Sequence, residues 1–203
     1  GSNPSSSVFV FIISILIKFM LNNRSLYYYN YVIKRDLILK FNSSNVHKLP
    51  SVNKITCNFG FKNSVQNKHI LGLGLIALEL LCGQRGVITF SKKNIIALKI
   101  RKGLPVGCKV DLRKKNVYAF LDTLVTTVFS KIKYLKPITC FDGFGNCTFY
   151  LHECVLFGSL EEEYAIFKEL PGLSITINTD SQEDTKALVL FSGLQLPCFN
   201  EYY

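Results

Sequence analysis

The stretch GQRGVITFSKKNIIALKIRKGLPVGCKVDLRKK, Gly83 to Lys115, decides how this chain reads. It predicts a short strand, a basic loop, and a second strand entered through a Gly-Leu-Pro turn. Ten of its residues are cations: Arg85, Lys92, Lys93, Lys99, Arg101, Lys102, Lys109, Arg113, Lys114 and Lys115. Asp111 is the one acid among them. Like charges at this density repel one another unless a polyanion neutralises them, which points to nucleic acid. Aliphatic residues separate the charges (Ile95, Ile96, Ala97, Leu98 and Ile100), so the segment is tied to a folded body.

Outward from this stretch, charge divides the chain sharply. Residues 1–137 hold 22 Lys and Arg against four acids, a net of +18, and residues 138–203 hold two against ten, a net of −8; the sum is the +10 of the whole chain. The first two-thirds therefore suits RNA, and the last third suits solvent or a basic protein. At 203 residues and 48% apolar content, the chain is long and apolar enough to bury a core. Seven cysteines without a C-x-x-C pair read as free thiols in a reducing compartment. Cys147, His152 and Cys154 lack the spacing and the fourth ligand of a zinc site, so no metal or cofactor is expected.

In chain order, an extension over residues 1–26 carries the apolar run Val8 to Leu21, too short for a spanning helix. A domain over 27–203 follows. Apolar spacing predicts a helix over Tyr28 to Phe41, and alternation predicts a strand over 53–60, with Lys54, Thr56 and Asn58 on its polar face. A helix over 69–83 is almost wholly apolar, and its Gly72-Leu73-Gly74 reads as core packing, not a nucleotide loop. Beyond the basic hairpin come an amphipathic helix over 117–129 and strands over 138–141 and 147–157 around FDGFGN. A short acidic helix or turn, a strand over 173–179 and a final helix from Gln182 to Ser192, capped by Ser181 and Asp184, complete the order. The order indicates an α+β fold with a mainly antiparallel sheet, helices on one face and a projecting basic hairpin loop. The three histidines have no adjacent nucleophile, and no catalytic motif is present, so neither an enzyme nor a small-molecule substrate is indicated.

The segment TFSKKNIIALKIRKGLPVGCKV resembles the signature of the large-subunit ribosomal protein five family, universal proteins that bind 5S ribosomal RNA. The resemblance extends through FNSSNVHKLPSVNKITCNFG upstream and FDGFGN and LPGLSITINT downstream, covering about Tyr27 to Asn200. It implies a structural constituent of the large subunit, placed in the central protuberance beside large-subunit RNA and other proteins. Its implied 5S contacts are Lys54, Asn58, Gln84, Arg85, Lys109, Asp111 and Arg113. The loop cations Lys92, Lys93, Lys99 and Arg101 match the family loop that reaches the P-site tRNA. The acidic last third would face a basic small-subunit protein across an intersubunit bridge. Asp111 departs from the family's usual Thr, Leu98 from its Phe, Phe144 from the Arg of FDGRGN, and FGSLEEEY from F-P-E-I-x-Y. Abundant Phe, Ile, Asn, Lys and Tyr with no Trp suggest a mitochondrial ribosome ahead of a plastid or bacterial one. A free-standing or membrane-tethered RNA-binding module would account for the charge and the Val8–Leu21 run alone.

Overall fold

The computed structural model describes residues 24–43, 45–61, 68–96, 100–133 and 141–198. The apolar run Val8 to Leu21, Lys99 and the strand expected from 138 to 140 lie outside them. Five strands form an antiparallel sheet of an α+β fold. They are β1 (Val52–Gly60), β2 (Val87–Phe90), β3 (Pro105–Arg113), β4 (Cys147–Leu151) and β5 (Leu173–Thr179), and their order across the sheet is β2-β3-β1-β5-β4. The chain divides into two compact units that cut across the strands.

The first unit takes in Thr56–Asp111 and Tyr150–Ile175. Its helix α2 (Lys68–Cys82) forms around a Leu-rich apolar run in spite of Gly72 and Gly74 and stops at Gly83, whose φ of 64° is the left-handed geometry of a helix end. The Gly83 amide donates to the Glu79 carbonyl at 2.9 Å. Leu71, Ala77, Leu78, Leu81 and Cys82 of α2 are buried, as are Cys57 and Phe59 of β1 and Cys108 and Val110 of β3. Each large apolar side chain so buried contributes about 1.5–3 kcal/mol. Gly74 is the close-approach point: a Cβ there would collide with the Phe61 ring and lie 3.2 Å from Cys108 Sγ. That bears out the packing role expected of this glycine. Gly107 of β3 is similar, since a Cβ would strike the Phe59 carbonyl oxygen.

The second unit includes residues 24–55, 112–149 and 176–198. Its first helix α1 runs through Arg24–Tyr28, a π-helical segment Tyr29–Ile33, and Lys34–Phe41, and ends on Asn42 in left-handed geometry. Tyr29, Ile33 and Leu37 are its buried face. The Tyr29 ring packs on Tyr118 at 5.4 Å, and its hydroxyl donates to the Pro50 carbonyl at 3.0 Å. Helix α3 comprises Lys115–Thr123 continuing into a π-helical segment Leu124–Phe129, with Phe120, Leu121, Leu124 and Val128 buried as the amphipathic pattern predicted. Asp122, on the same helix, is also buried, and it accepts from Arg24 at 3.0 Å and Ser25 at 2.8 Å.

Three expectations are corrected. The strand expected over 147–157 is shorter: β4 stops at Leu151, and Cys154–Leu156 is a 3-10 turn. Phe141 makes only an isolated bridge to Cys147. Between β4 and β5, the acidic segment is helical as expected, in two short pieces, α4 (Gly158–Glu161) and α5 (Tyr164–Phe167). The final helix, α6, is Asp184–Gly193, not Gln182 to Ser192, and Ser181 does not cap it. The Ser181 hydroxyl is held instead by Thr179 Oγ1 at 2.6 Å, and the Asp184 carboxylate turns to the FDGFGN loop, accepting from the Gly143 and Gly145 amides.

Candidate nucleic-acid interface

Two features of the sequence build this surface. The first is the alternation along β1, where Ile55, Cys57 and Phe59 are buried and Lys54, Thr56 and Asn58 are half-exposed. The second is the same alternation along β3, where Cys108, Val110 and Leu112 are buried and Lys109, Asp111 and Arg113 are half-exposed or exposed. Period-two patterning with one apolar face leaves the other face free.

The register brings the two open faces together within the first unit. The Thr56 hydroxyl donates to Asp111 Oδ1 at 2.8 Å, and the Phe61 amide donates to the Val106 carbonyl at 3.0 Å. These bonds are equal steps apart in opposite directions along β1 and β3, so the pairing runs without a slip and sets Asn58 opposite Lys109. Lys109 Nζ lies 3.7 Å from Asp111 Oδ2. Asp111, the departure noted in the sequence, is thus bound by a cross-strand hydroxyl and faced by a cation on its own strand. Its charge is offset locally, and part of the Lys109 charge is offset with it. Lys54 and Arg113 continue the same strands in the second unit.

Gln84 and Arg85 enter beside these residues. They follow the helix-ending Gly83 and lead into β2, whose Val87 pairs with Lys109. Gly86 packs at this crossing, where a Cβ would meet the end of the Leu75 side chain at 2.9 Å, with Val110 at 3.7 Å. Gln84 is half-exposed and Arg85 exposed. The structure therefore groups Asn58, Gln84, Arg85, Lys109 and Asp111 in one unit. Thr56 belongs with them and was not singled out from the sequence; its place on the polar face was legible, but its bond to Asp111 required the register.

The hairpin loop has a built base. Ser91 and Leu104 are joined through backbone at 2.9 Å, Gly103 donates back to Ser91 at 2.9 Å, and Gly103 takes a φ of 86°. Further out, Ile95 and Ile100 exchange backbone bonds of 2.9 and 3.1 Å, and Asn94 Oδ1 accepts from the Lys102 amide at 2.7 Å. Lys92, Lys93, Arg101 and Lys102 are exposed on this ladder. Ile96 at its tip is 92% exposed, an aliphatic side chain left without cover. These frame bonds use backbone groups of Lys93, Arg101 and Lys102 and none of the cationic side chains, which project from it.

The acidic last third uses several of its carboxylates internally. Asp142 accepts from Asn146 and the Phe144 amide, and these bonds hold its carboxyl below the usual value. Asp180 accepts from the Ser51 hydroxyl at 2.6 Å, and Glu183 pairs with Lys186 at 3.0 Å. Glu162 and Glu163 are exposed. A bond to Cys82 and burial push the Cys57 thiol well up, and burial pushes that of Cys108 to about 12, so neither is ionised at neutral pH.

A family model for the C-terminal part of the ribosomal protein five family matches residues 105–198. A large ribosomal subunit protein uL5m of Reclinomonas americana is 38% identical over 177 residues, spanning 86% of this chain and 97% of the relative. The uL5 proteins of Buchnera aphidicola subsp. Cinara cedri and Nitrosomonas europaea are 37% and 35% identical, spanning 85% and 87% of this chain and 96% and 99% of the relatives. With likeness running nearly end to end along each relative, the chain belongs to the uL5 family of large ribosomal subunit proteins, which is structural and non-enzymatic.

Proposed function

We propose that this protein is a 5S RNA-binding constituent of the large subunit of a mitochondrial ribosome. The observation that carries the reading is the open β1–β3 face, where Asn58 stands opposite Lys109 and a hydrogen-bonded Thr56–Asp111 pair adjoins them. Such a face offers cations for phosphates and fixed polar groups for 2′-hydroxyls and base edges. Gln84 and Arg85 extend it, and Lys54 and Arg113 add charge along the same strands. Asp111 acts here by holding Thr56 and Lys109 in place, since a carboxylate against phosphate would be repulsive.

On the same reading, Lys92, Lys93, Lys99 and Arg101 reach the P-site tRNA from the hairpin. The exposed carboxylates Glu162 and Glu163 face a basic small-subunit protein, and other central-protuberance proteins are neighbours. The mitochondrial assignment is supported by the likeness to the uL5m protein of Reclinomonas americana and by the residue composition.

Filter binding of the full chain to 5S RNA tests the site. Asn58→Ala and Gln84→Ala should each weaken binding by about 1–3 kcal/mol without changing the salt slope, while Arg85→Ala should lower the slope. If Asn58→Ala and Gln84→Ala both bind 5S RNA as the parent does, the assignment of this face is wrong.

A further inference from the structure

Helix α1 buries one side and leaves a second, chemically distinct side bare. Tyr29, Ile33 and Leu37 are 4%, 3% and 1% exposed, whereas Tyr27, Tyr28 and Tyr31 are 63%, 40% and 52% exposed. Tyr27 and Tyr31 lie ring against ring, with centroids 4.2 Å apart and planes at 30°. Arg24, Tyr28, Tyr31 and Arg35 follow one another at spacings of four, three and four, and all four are exposed. The Arg24 side chain gives one nitrogen to Asp122 and is still 67% exposed. Asp36 is the one acid of α1, against Arg24, Lys34, Arg35 and Lys40.

This combination selects a partner. Exposed aromatic rings stack on any unpaired base, and guanidinium groups at both ends of the row match phosphate oxygens in a bidentate fork. The net positive charge favours a polyanion over an apolar protein face, which would be better met by aliphatic residues with few charges. We propose that the tyrosine–arginine side of α1 is a second RNA-binding surface, taking the unpaired bases of an RNA loop or bulge. It uses no residue of the β1–β3 face or of the hairpin, so it stands or falls separately from the 5S assignment.

The test uses the full chain carrying Lys92→Ala and Lys93→Ala, which lowers the hairpin contribution, and a labelled single-stranded rA 12-mer as probe. The chain has no Trp, so its emission comes from ten tyrosines, four of them in α1, and the loss of quenching in the variants assigns it to Tyr27 and Tyr31. In this background the 12-mer should quench tyrosine emission, and adding Tyr27→Ala with Tyr31→Ala should remove most of the quenching. Affinity should fall about tenfold or more, and Tyr27→Phe with Tyr31→Phe should keep it. Arg35→Gln should lower the salt slope by about one. An abasic 12-mer should bind both tyrosine variants alike. The proposal is overturned if the Ala pair binds the rA 12-mer as the background does, or if the Phe pair loses affinity as the Ala pair does. Unchanged thermal unfolding of the variants separates either result from misfolding.

Discussion

At the scale of single residues, Asp111 shows how one substitution rearranges a surface. The family's usual Thr would leave Lys109 free for phosphate; here the carboxylate draws both Lys109 and Thr56. Asp111→Thr should therefore strengthen 5S RNA binding several-fold and raise the salt slope by about one, as a cation is released and an anion removed. Because the ion pair is solvent-exposed, stability should move by about 1 kcal/mol or less. Filter binding across a salt series, alongside urea unfolding, checks both halves. Tyr29 makes a different residue-scale case. Burial lifts its hydroxyl from the ordinary 10.0 to about 12, while Ser51 opposes the shift. Between those values the unfolded chain has lost a proton that the folded chain still holds. Stability must then fall as pH rises from 10 toward 12. Tyr118, stacked on Tyr29 and likewise raised by burial, adds to the same decline. In Tyr29→Phe the urea midpoint should be lower at neutral pH, for want of the bond to Pro50, but should decline less between pH 10 and 12. A parallel decline in parent and variant would show that Tyr29 is not the group responsible.

At the scale of elements, α2 sets two glycines against each other. A Cβ at Gly72 meets nothing within 4 Å, so Gly72→Ala should gain about 0.5–1 kcal/mol from helix propensity. At Gly74 the same Cβ drives into Phe61, and overpacking of about 1–3 kcal/mol outweighs that gain. Thermal unfolding should shift up for the first variant and down for the second; equal shifts would mean that α2 does not press on Phe61 at Gly74. Both glycines read alike in the sequence, as members of one apolar run. Their difference depends on which side of α2 meets Phe61, a tertiary fact. The same boundary between local and tertiary information recurs elsewhere. Alternation along β1 and β3 and the buried stripe of α3 were legible because each follows from one period. The end of β4 at Leu151 was not, because the 3-10 turn that follows is as apolar as a strand. Asp184 looked like part of a capping pair, yet its carboxylate is drawn to the Gly143 and Gly145 amides, 41 and 39 residues back in the chain. In α1 the helical spacing of 29, 33 and 37 marked Tyr29 as buried, whereas the pairing of the bare Tyr27 and Tyr31 rings emerged only from the structure.

At the scale of the whole molecule, the division of charge becomes a division of labour. Among the described residues, cations of the first two-thirds stand on β1, on β3, on the hairpin and on helix α1. In the hairpin the frame is made by backbone bonds between Ser91 and Leu104 and between Ile95 and Ile100, and by Asn94 with the Lys102 amide, bonds that use no cationic side chain. Lys92 and Lys93 are therefore removable without loss of the frame. Changing both to Ala should shift stability by about 0.5 kcal/mol or less, as exposed substitutions generally do. On the proposed reading it should also leave 5S RNA binding nearly intact, because Asn58, Gln84 and Arg85 are untouched. P-site tRNA retention on reconstituted large subunits should weaken, most clearly at high salt. The loss should be similar for different tRNAs, since lysines at this position meet phosphate and sugar, which every tRNA presents alike. A filter-binding series with two unrelated tRNAs reads this out. A loss of 5S RNA with tRNA retained would assign the hairpin to assembly and reverse the roles of loop and sheet. A loss confined to one tRNA would mean that the loop reads bases, which the flexible, single-charged lysine side chain is poorly shaped to do.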